Sequence, residues 1–251
     1  MIATAPPSEM ARCGRLPRLG FFGVGSIGRQ RLASLATSGA VSIDVIADPC
    51  EGTAQAAARL APGAAVARTL DELLAADLDA LVIATDGGAH AEQTVAAVEG
   101  GLAVFCQKPL ARTGAAVRRV VDAARAADRL LQLDSFRYLT AGNALDDLVS
   151  GATISLACSS HASVGPDQVI RVALHGTRGG AALENMSGAF HDFRAQRYRC
   201  STTETLSTPP DIWEGRAAVA WACQLAVDRR FDTGAERFVE VASILDWVYE
   251  S

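Results

Sequence analysis

The chain contains a single lysine, a residue type that can take part in proton transfer. Lys108 is the single lysine among 23 lysine and arginine residues, so arginine serves wherever a plain cation is needed. An ammonium group can give up and take back a proton, whereas the guanidinium group of arginine stays charged. A single lysine on an open surface would mean nothing. The position of Lys108 in the fold therefore decides whether it is a candidate for acid–base catalysis.

A glycine-rich turn is the second feature that could do chemistry. An apolar run ends in the spacing Gly-x-Gly-x-x-Gly at Gly23, Gly25 and Gly28. In a dinucleotide-binding turn the first glycine allows a tight bend, the second lets the backbone approach a pyrophosphate, and the third lets helix and strand pack closely. Ser26 and Ile27 open the helix that follows, whose free N–H groups and dipole favour phosphate. Glycines also form turns without any ligand, so this pattern needs support from the rest of the chain.

An acidic residue supports a nucleotide at this turn. Asp48 follows the second apolar run, near the offset at which a carboxylate meets the adenine ribose hydroxyls. A carboxylate there would repel a 2′-phosphate, and no arginine follows directly, so the sequence favours NAD over NADP as cofactor. The alternative is that Asp48, which precedes Pro49, only forms a turn.

The elements that must position these residues alternate between strands and helices, which predicts βαβ units and a parallel sheet. We predict strands over 19–22, 41–47, 79–85, 102–106 and 130–133, and helices over 26–36, 53–60, 69–74, 91–99 and 113–128. The strand ends of such a sheet share one edge, where ligands bind. Thr85, Gln107 and Lys108 are therefore expected beside the glycine turn, at the mouth of a cofactor site.

The same segments resemble a known family. The stretch from Ile83 to His90, the stretch from Gly100 to Ala111 and the later Phe136-Arg137 are similar to the Gfo/Idh/MocA oxidoreductases. The resemblance covers residues 18–137. Its most specific motif is the family's Glu-Lys-Pro, which reads Gln107-Lys108-Pro109 here.

The resemblance implies roles for particular residues. Lys108 is expected beside the nicotinamide and the substrate hydroxyl, as the catalytic residue. His90 matches the histidine after the family's Thr-Pro turn, although Asp86 stands at the proline position; it could equally be an ordinary first residue of a helix. With the glycine turn and Asp48, the expected cofactor-binding residues then include Thr85, His90, Gln107 and Lys108. Gln107 in place of glutamate removes a charge that would pair near the lysine.

Residues 138–251 are predicted to form a shortened second domain of the α+β class with a small, mostly antiparallel sheet. Alternating apolar residues predict strands at 153–158 and 169–175, further strands are expected at 190–198 and 203–206, and helices at 143–149, 214–227 and 235–248. Against the family, the first part of the second sheet is missing at a join between Gly151 and Thr153. With it goes the helix that carries the family's Asp-x-x-x-His, whose histidine is the usual second catalytic group. Neither His175 nor His191 is assigned that role.

Composition excludes several classes of protein. The chain has 251 residues and a net charge of −5, which disfavours nucleic acid as a partner. No apolar run reaches the roughly 20 residues of a membrane span, and residues 1–17 are expected to be a flexible tail without a signal peptide. The 6 cysteines have no metal-binding spacing, so we expect reduced thiols, no metal and a cytoplasmic location. A homo-oligomer is left open because the family usually dimerises through the sheet that is shortened here.

Two main functions are consistent with these residues. The first is an NAD-dependent oxidoreductase that acts on a sugar, cyclitol or related polyol, with Lys108 taking the hydroxyl proton. The second is a catalytically impaired paralogue that binds NAD and acts as a partner or regulatory protein. A third possibility is the product of a gene with an internal deletion, although the regular late strands and helices argue against decay.

Overall fold

The structure, a computed structural model, describes residues 15–134, 153–154, 169–189, 192–209 and 215–250. Contacts divide the chain into two compact units, which comprise 1–135 with 217–251 and, separately, 136–216. The predicted helix at 143–149 and most of the expected tail at 1–17 lie outside the described residues. Within the described part, no helix has the length and apolar character needed to cross a membrane.

A six-stranded parallel sheet organises the first unit, and its strand order is β3–β2–β1–β4–β5–β6. The reversal of strand order beside β1 is the doubly wound arrangement of Rossmann folds. This confirms the predicted α/β class. The strands are β1 (Arg18–Phe22), β2 (Ser42–Ala47), β3 (Ala65–Ala67), β4 (Ala80–Ile83), β5 (Ala103–Cys106) and β6 (Leu131–Leu133).

Five helices connect these strands and cover the sheet. They are α1 (Ser26–Ser38), α2 (Glu51–Ala58), α3 (Leu70–Leu74), α4 (His90–Glu99) and α5 (Gly114–Ala126). The predicted N-cap Thr69 accepts a hydrogen bond from the Glu72 backbone N–H at 3.2 Å. Thr113 caps α5 in the same way, because a threonine oxygen satisfies one of the N–H groups that a helix start leaves unpaired.

Two C-terminal helices, α6 (Arg216–Val227) and α7 (Glu236–Glu250), pack on the first unit. The sequence assigned 138–251 to a second domain, whereas contacts group 217–251 with the parallel sheet. Burial explains the difference. Trp221 is fully buried, with its ring centroid 5.5 Å from that of Phe105 on β5, and Asp246 accepts a hydrogen bond from the Gly114 N–H at 2.7 Å. The apolar face of α6 is thus covered by the sheet that precedes it by some 100 residues, which periodicity cannot indicate.

The second unit holds an antiparallel sheet of order β11–β10–β9–β8–β7, so the predicted small antiparallel sheet is confirmed. Its strands are β7 (Thr153–Ile154), β8 (Arg171–Gly176), β9 (Gly179–Asn185), β10 (Phe193–Arg199) and β11 (Thr202–Ser207). A tight turn joins β8 to β9, where Gly176 pairs with Gly179. One face of the sheet buries Leu174, Leu183 and Phe193.

Candidate cofactor and catalytic site

Five parallel strands of the first unit end at one level. Phe22 is in register with both Ala47 and Ile83, Ile83 with Cys106, and Cys106 with Leu133. Parallel sheets bind ligands at this edge, beside the point where the strand order reverses. The segments that leave this edge begin with Gly23, Asp48, Ala84, Gln107 and Asp134.

The glycine turn has the shape that a pyrophosphate requires. Gly23 has a φ of +87°, and a Cβ atom there would lie 2.5 Å from the Ala84 carbonyl carbon. A Cβ atom on Gly28 would lie 2.2 Å from the Gly23 carbonyl oxygen. At Gly25, by contrast, no heavy atom of the described chain lies within 4 Å of the Cβ position. Gly23 and Gly28 are thus needed for close packing, whereas Gly25 faces open space.

That open space lies over the start of α1. Gly25 is the N-cap of this helix, and no side chain among the described residues caps its first turn. Ser26 and Ile27 are exposed beside it. A helix start with free N–H groups and no side chain above it fits an anionic phosphate group. The residues therefore fit a dinucleotide.

Asp48 is fixed at the edge of this space. Its Oδ2 accepts a hydrogen bond from the Val24 N–H at 2.8 Å, and its Oδ1 accepts one from the Cys50 N–H at 2.9 Å. The side chain is half-buried. Each carboxylate oxygen can accept a further hydrogen bond, so Asp48 supports the glycine turn and still has acceptors for ribose hydroxyls. The observed geometry of Asp48 is therefore compatible with both interpretations, a residue that stabilises the turn and a residue that binds the ribose.

His90 lies at the site but is enclosed by the protein. It is 1 % exposed at the first position of α4. Its Nδ1 lies 2.7 Å from the Pro109 carbonyl oxygen, and its Nε2 lies 3.1 Å from the Thr85 carbonyl oxygen. A neutral imidazole has one N–H and can donate to only one of these carbonyls. The ring thus joins the segment after β4 to the segment after β5, and both of its nitrogen atoms face the backbone rather than a ligand.

Gln107 and Lys108 follow β5, next to the contacts that His90 makes with the backbone. The Gln107 N–H donates to the Ile83 carbonyl at 2.8 Å, which continues the ladder between β4 and β5. The Lys108 N–H donates to Oε1 of Gln107 at 2.7 Å. The peptide bond between Lys108 and Pro109 is cis. The side chain of Lys108 is exposed, so its ammonium group is accessible at the same edge as the glycine turn.

Two site residues were missed from sequence. Arg31 on α1 and Asp134 after β6 form a buried ion pair, with Nε 2.7 Å from Oδ2. Oδ2 of Asp134 also accepts a hydrogen bond from Nε2 of Gln107 at 3.1 Å. A signal was available, because Arg31 is a charged residue on the face of α1 that buries Leu32 and Leu35.

Two cysteines near this edge differ in reactivity. The pKa of the Cys50 thiol is lowered, chiefly because the Thr53 side chain donates a hydrogen bond to it and backbone N–H groups add to this. Burial raises the pKa of Cys106, at the end of β5, to about 12. Because the thiolate is the nucleophile, Cys106 is excluded as a catalytic nucleophile, although it adjoins Gln107. Among the described residues, no group of three or more histidine, cysteine or acidic side chains could hold a metal ion.

These features define a Rossmann domain of the dinucleotide-binding type. Residues 17–135 match the Gfo/Idh/MocA model, which describes an oxidoreductase family with an NAD-binding Rossmann fold. Over these residues the chain therefore matches the family that its resemblance to the Gfo/Idh/MocA oxidoreductases predicted.

Relatives found by sequence are inositol 2-dehydrogenases. The protein from Agrobacterium fabrum is 32% identical over 169 residues, a match that covers 64% of this chain and 50% of the relative. The protein from Klebsiella pneumoniae subsp. pneumoniae is 34% identical over 172 residues, with the same coverage. The chain spans about half the length of the relatives it matches.

Solved structures share the fold across both units. KijD10, a 3-ketoreductase from Actinomadura kijaniata in complex with NADP and TDP-benzene, aligns with a TM-score of 0.68 at 16% identity, over 92% of this chain and 96% of that one. GenD2 from gentamicin A biosynthesis, in complex with NAD, aligns with a TM-score of 0.66 at 17% identity, over 96% of this chain and 95% of that one. At these identities the likeness concerns the fold alone.

Proposed function

We propose that this chain is an NAD-dependent oxidoreductase that transfers a hydride between a hydroxyl-bearing carbon of a sugar, cyclitol or related polyol and the nicotinamide cofactor. The observation that carries the proposal is the open space at Gly25, over an uncapped helix start, on the sheet edge that also presents Lys108. The inositol 2-dehydrogenase relatives support the substrate class.

Each residue at this edge has a role in the proposal. The turn at Gly23, Gly25 and Gly28 would receive the pyrophosphate, with the N–H groups that open α1 at Ser26 and Ile27. A bound nicotinamide ring supplies the hydride acceptor that no amino-acid side chain can provide. His90 binds no cofactor atom itself in this proposal, and instead holds the segments at Thr85 and Pro109 that border the cofactor.

Asp48 is the residue that selects NAD in this proposal. Its two oxygens are held by the Val24 and Cys50 N–H groups, so the carboxylate cannot swing away from an incoming ribose. The 2′- and 3′-hydroxyls of NAD can donate to it, whereas the 2′-phosphate of NADP would meet a like charge. Structural neighbours occur with NADP or with NAD, so the choice rests on Asp48.

Lys108 would take the proton from the substrate hydroxyl, directly or through water, as the C–H hydrogen leaves as hydride. General acid–base catalysis by a positioned side chain contributes about 10²–10⁴-fold in rate. Its exposed side chain and a backbone held by Gln107 suit that role.

A second candidate, an NAD-binding protein without turnover, has one observation in its favour. Of the histidines in the described residues, His90 has both ring nitrogens on backbone carbonyls, and His175 lies on β8 of the other unit. The described part of the first unit thus offers Lys108 without a histidine partner for proton transfer.

One experiment separates the two candidates. NAD binding to the full chain is measured by calorimetry, and NADH formation is then followed with a panel of inositols, sugars and linear polyols. Saturable binding with turnover on at least one polyol supports the oxidoreductase. Binding without turnover on any of them supports the second candidate, and no NAD binding would contradict both.

A further inference from the structure

The buried contacts beneath Lys108 form one connected network. Asp134 is 7 % exposed and Arg31 is 5 % exposed, and Oδ2 of Asp134 accepts hydrogen bonds from Nε of Arg31 at 2.7 Å and Nε2 of Gln107 at 3.1 Å. Oε1 of Gln107 then accepts the Lys108 backbone N–H at 2.7 Å. The network therefore runs from α1, the helix that follows the glycine turn, to the backbone of the candidate catalytic lysine.

The carboxylate of Asp134 explains why an amide stands at position 107. Gln107 uses its NH₂ group on Asp134 and its oxygen on Lys108, so its orientation is fixed at both ends. A glutamate in this conformation would place a carboxylate oxygen about where Nε2 now lies, 3.1 Å from Oδ2 of Asp134. Two carboxylates so close cannot both stay ionised without a large penalty. The negative charge beside Gln107 lies on Asp134.

Stability alone does not account for the ion pair. Burying two charges costs desolvation energy that their attraction often fails to repay. Nη1 of Arg31 is also buried without a hydrogen-bond partner in the part of the chain that the structure describes. An unsatisfied buried donor calls for an explanation other than packing. The location supplies one, since the pair links the helix of the glycine turn to the segment that carries Lys108.

We propose that Asp134, held by Arg31, is a positioning residue for Lys108. Asp134 fixes the amide of Gln107, and Gln107 fixes the backbone N–H of Lys108 and hence the origin of its side chain. The proposal deepens the proposed function and rests on it only for the role of the lysine in proton transfer. The positioning itself is independent of turnover and can be measured without it.

The single lysine makes this measurement direct. When the 251-residue chain is labelled with ¹⁵N-lysine, its backbone amide spectrum contains one lysine signal, that of Lys108. Gln107→Glu introduces the repulsion. Asp134→Asn keeps an acceptor oxygen but removes the negative charge that holds Arg31 and the Gln107 amide. The two substitutions together restore a carboxylate–amide contact with its two sides exchanged. Asp232→Asn is the matched control, because Asp232 also accepts two hydrogen bonds but from Gly234 and Gln224.

We expect the two substitutions to compensate each other in their effect on the Lys108 signal, and not to add. The Lys108 signal moves or broadens in each single variant, returns towards its wild-type position in the double variant, and stays in place in Asp232→Asn. If Asp134→Asn alone does not fold, the comparison of the Lys108 signal between Gln107→Glu and the folded double variant still tests the proposal. A Lys108 signal that is unchanged by Gln107→Glu, or displaced further in the double variant, would overturn the proposal.

Turnover provides a second, separable readout. With a polyol that is oxidised, Gln107→Glu should lower kcat about 10- to 100-fold, since small displacements of a catalytic group have effects of that size, while the Kd for NAD stays within about twofold. The double variant should regain most of the loss. If the wild-type protein turns over no polyol, the proposed function fails, yet the Lys108 signal still tests the positioning.

Discussion

At Gly25, a larger side chain should weaken NAD binding without disturbing the fold. Its φ of −60° suits any residue, and nothing in the described chain lies within 4 Å of its Cβ position. The Cβ atom of a valine at position 25 therefore meets no neighbour in the described chain, and the loss of an N-cap glycine costs about 1 kcal/mol or less. The valine side chain instead occupies the space over the start of α1 that we assign to the pyrophosphate.

The loss of binding follows from the hydrogen bonds that valine would block. A hydrogen bond to a charged group contributes about 1.5–3 kcal/mol, so losing one between a backbone N–H and a phosphate oxygen raises Kd about 10- to 100-fold. Calorimetric titration with NAD measures that change, and thermal unfolding measures stability on the same samples.

Two further variants show whether a loss of NAD affinity comes from a blocked binding space or from a less stable fold. Gly28→Ala places a methyl group 2.2 Å from the Gly23 carbonyl oxygen and should cost about 1–3 kcal/mol of folding free energy. Asp232→Ala removes hydrogen bonds of 2.8 and 3.0 Å from the loop before α7, and should cost about 1–2 kcal/mol with no change in NAD affinity. Wild-type NAD affinity in Gly25→Val would refute the assignment of this space to the cofactor.

Three other predictions concern the remaining site residues. Asp48→Asn keeps an oxygen for the Val24 N–H but loses the charge, so the ratio of the NADP to the NAD Kd should fall; an unchanged ratio would remove Asp48 from cofactor selection. Because the pKa of Cys50 is lowered and that of Cys106 is raised to about 12, iodoacetamide near neutral pH should alkylate Cys50 well before Cys106, as peptide mass mapping can follow, and NAD should slow the modification of Cys50. Equal rates at the two thiols would contradict the geometry. His90→Ala leaves the Pro109 and Thr85 carbonyls without their contacts and should lower the free energy of unfolding by about 1–3 kcal/mol, whereas full stability with lost NAD binding would make His90 a direct ligand.

Local patterns predicted most of the parallel sheet. The strands at Arg18–Phe22 and Ala103–Cys106 are short apolar runs followed by turn signals, and the helix Gly114–Ala126 follows its predicted threonine cap. The strand Ala65–Ala67 was missed because it has only 3 residues, two of them alanine. Its place in the sheet comes from pairing with β2, and such pairing produces no periodic pattern in the sequence.

Long-range pairing accounts for what the sequence could not predict. Arg31 and Asp134 are 103 positions apart, and nothing local to either residue identifies the other. The C-terminal helices were recognised as helices, but periodicity shows only that a face is buried and not which sheet buries it. Trp221 meets Phe105 across the first unit, so the domain assignment of α6 and α7 required the structure.

Substitution of Lys108 tests whether this side chain takes the proton of the substrate. Lys108→Ala and Lys108→Arg are compared with the wild-type protein in NAD titration and in NADH formation with the best polyol; arginine keeps the positive charge but cannot give up a proton. Both variants should bind NAD with nearly wild-type Kd and lose about 10²–10⁴-fold in kcat. Wild-type kcat in Lys108→Ala would contradict the proposed role of Lys108, because another group would then take the proton of the substrate.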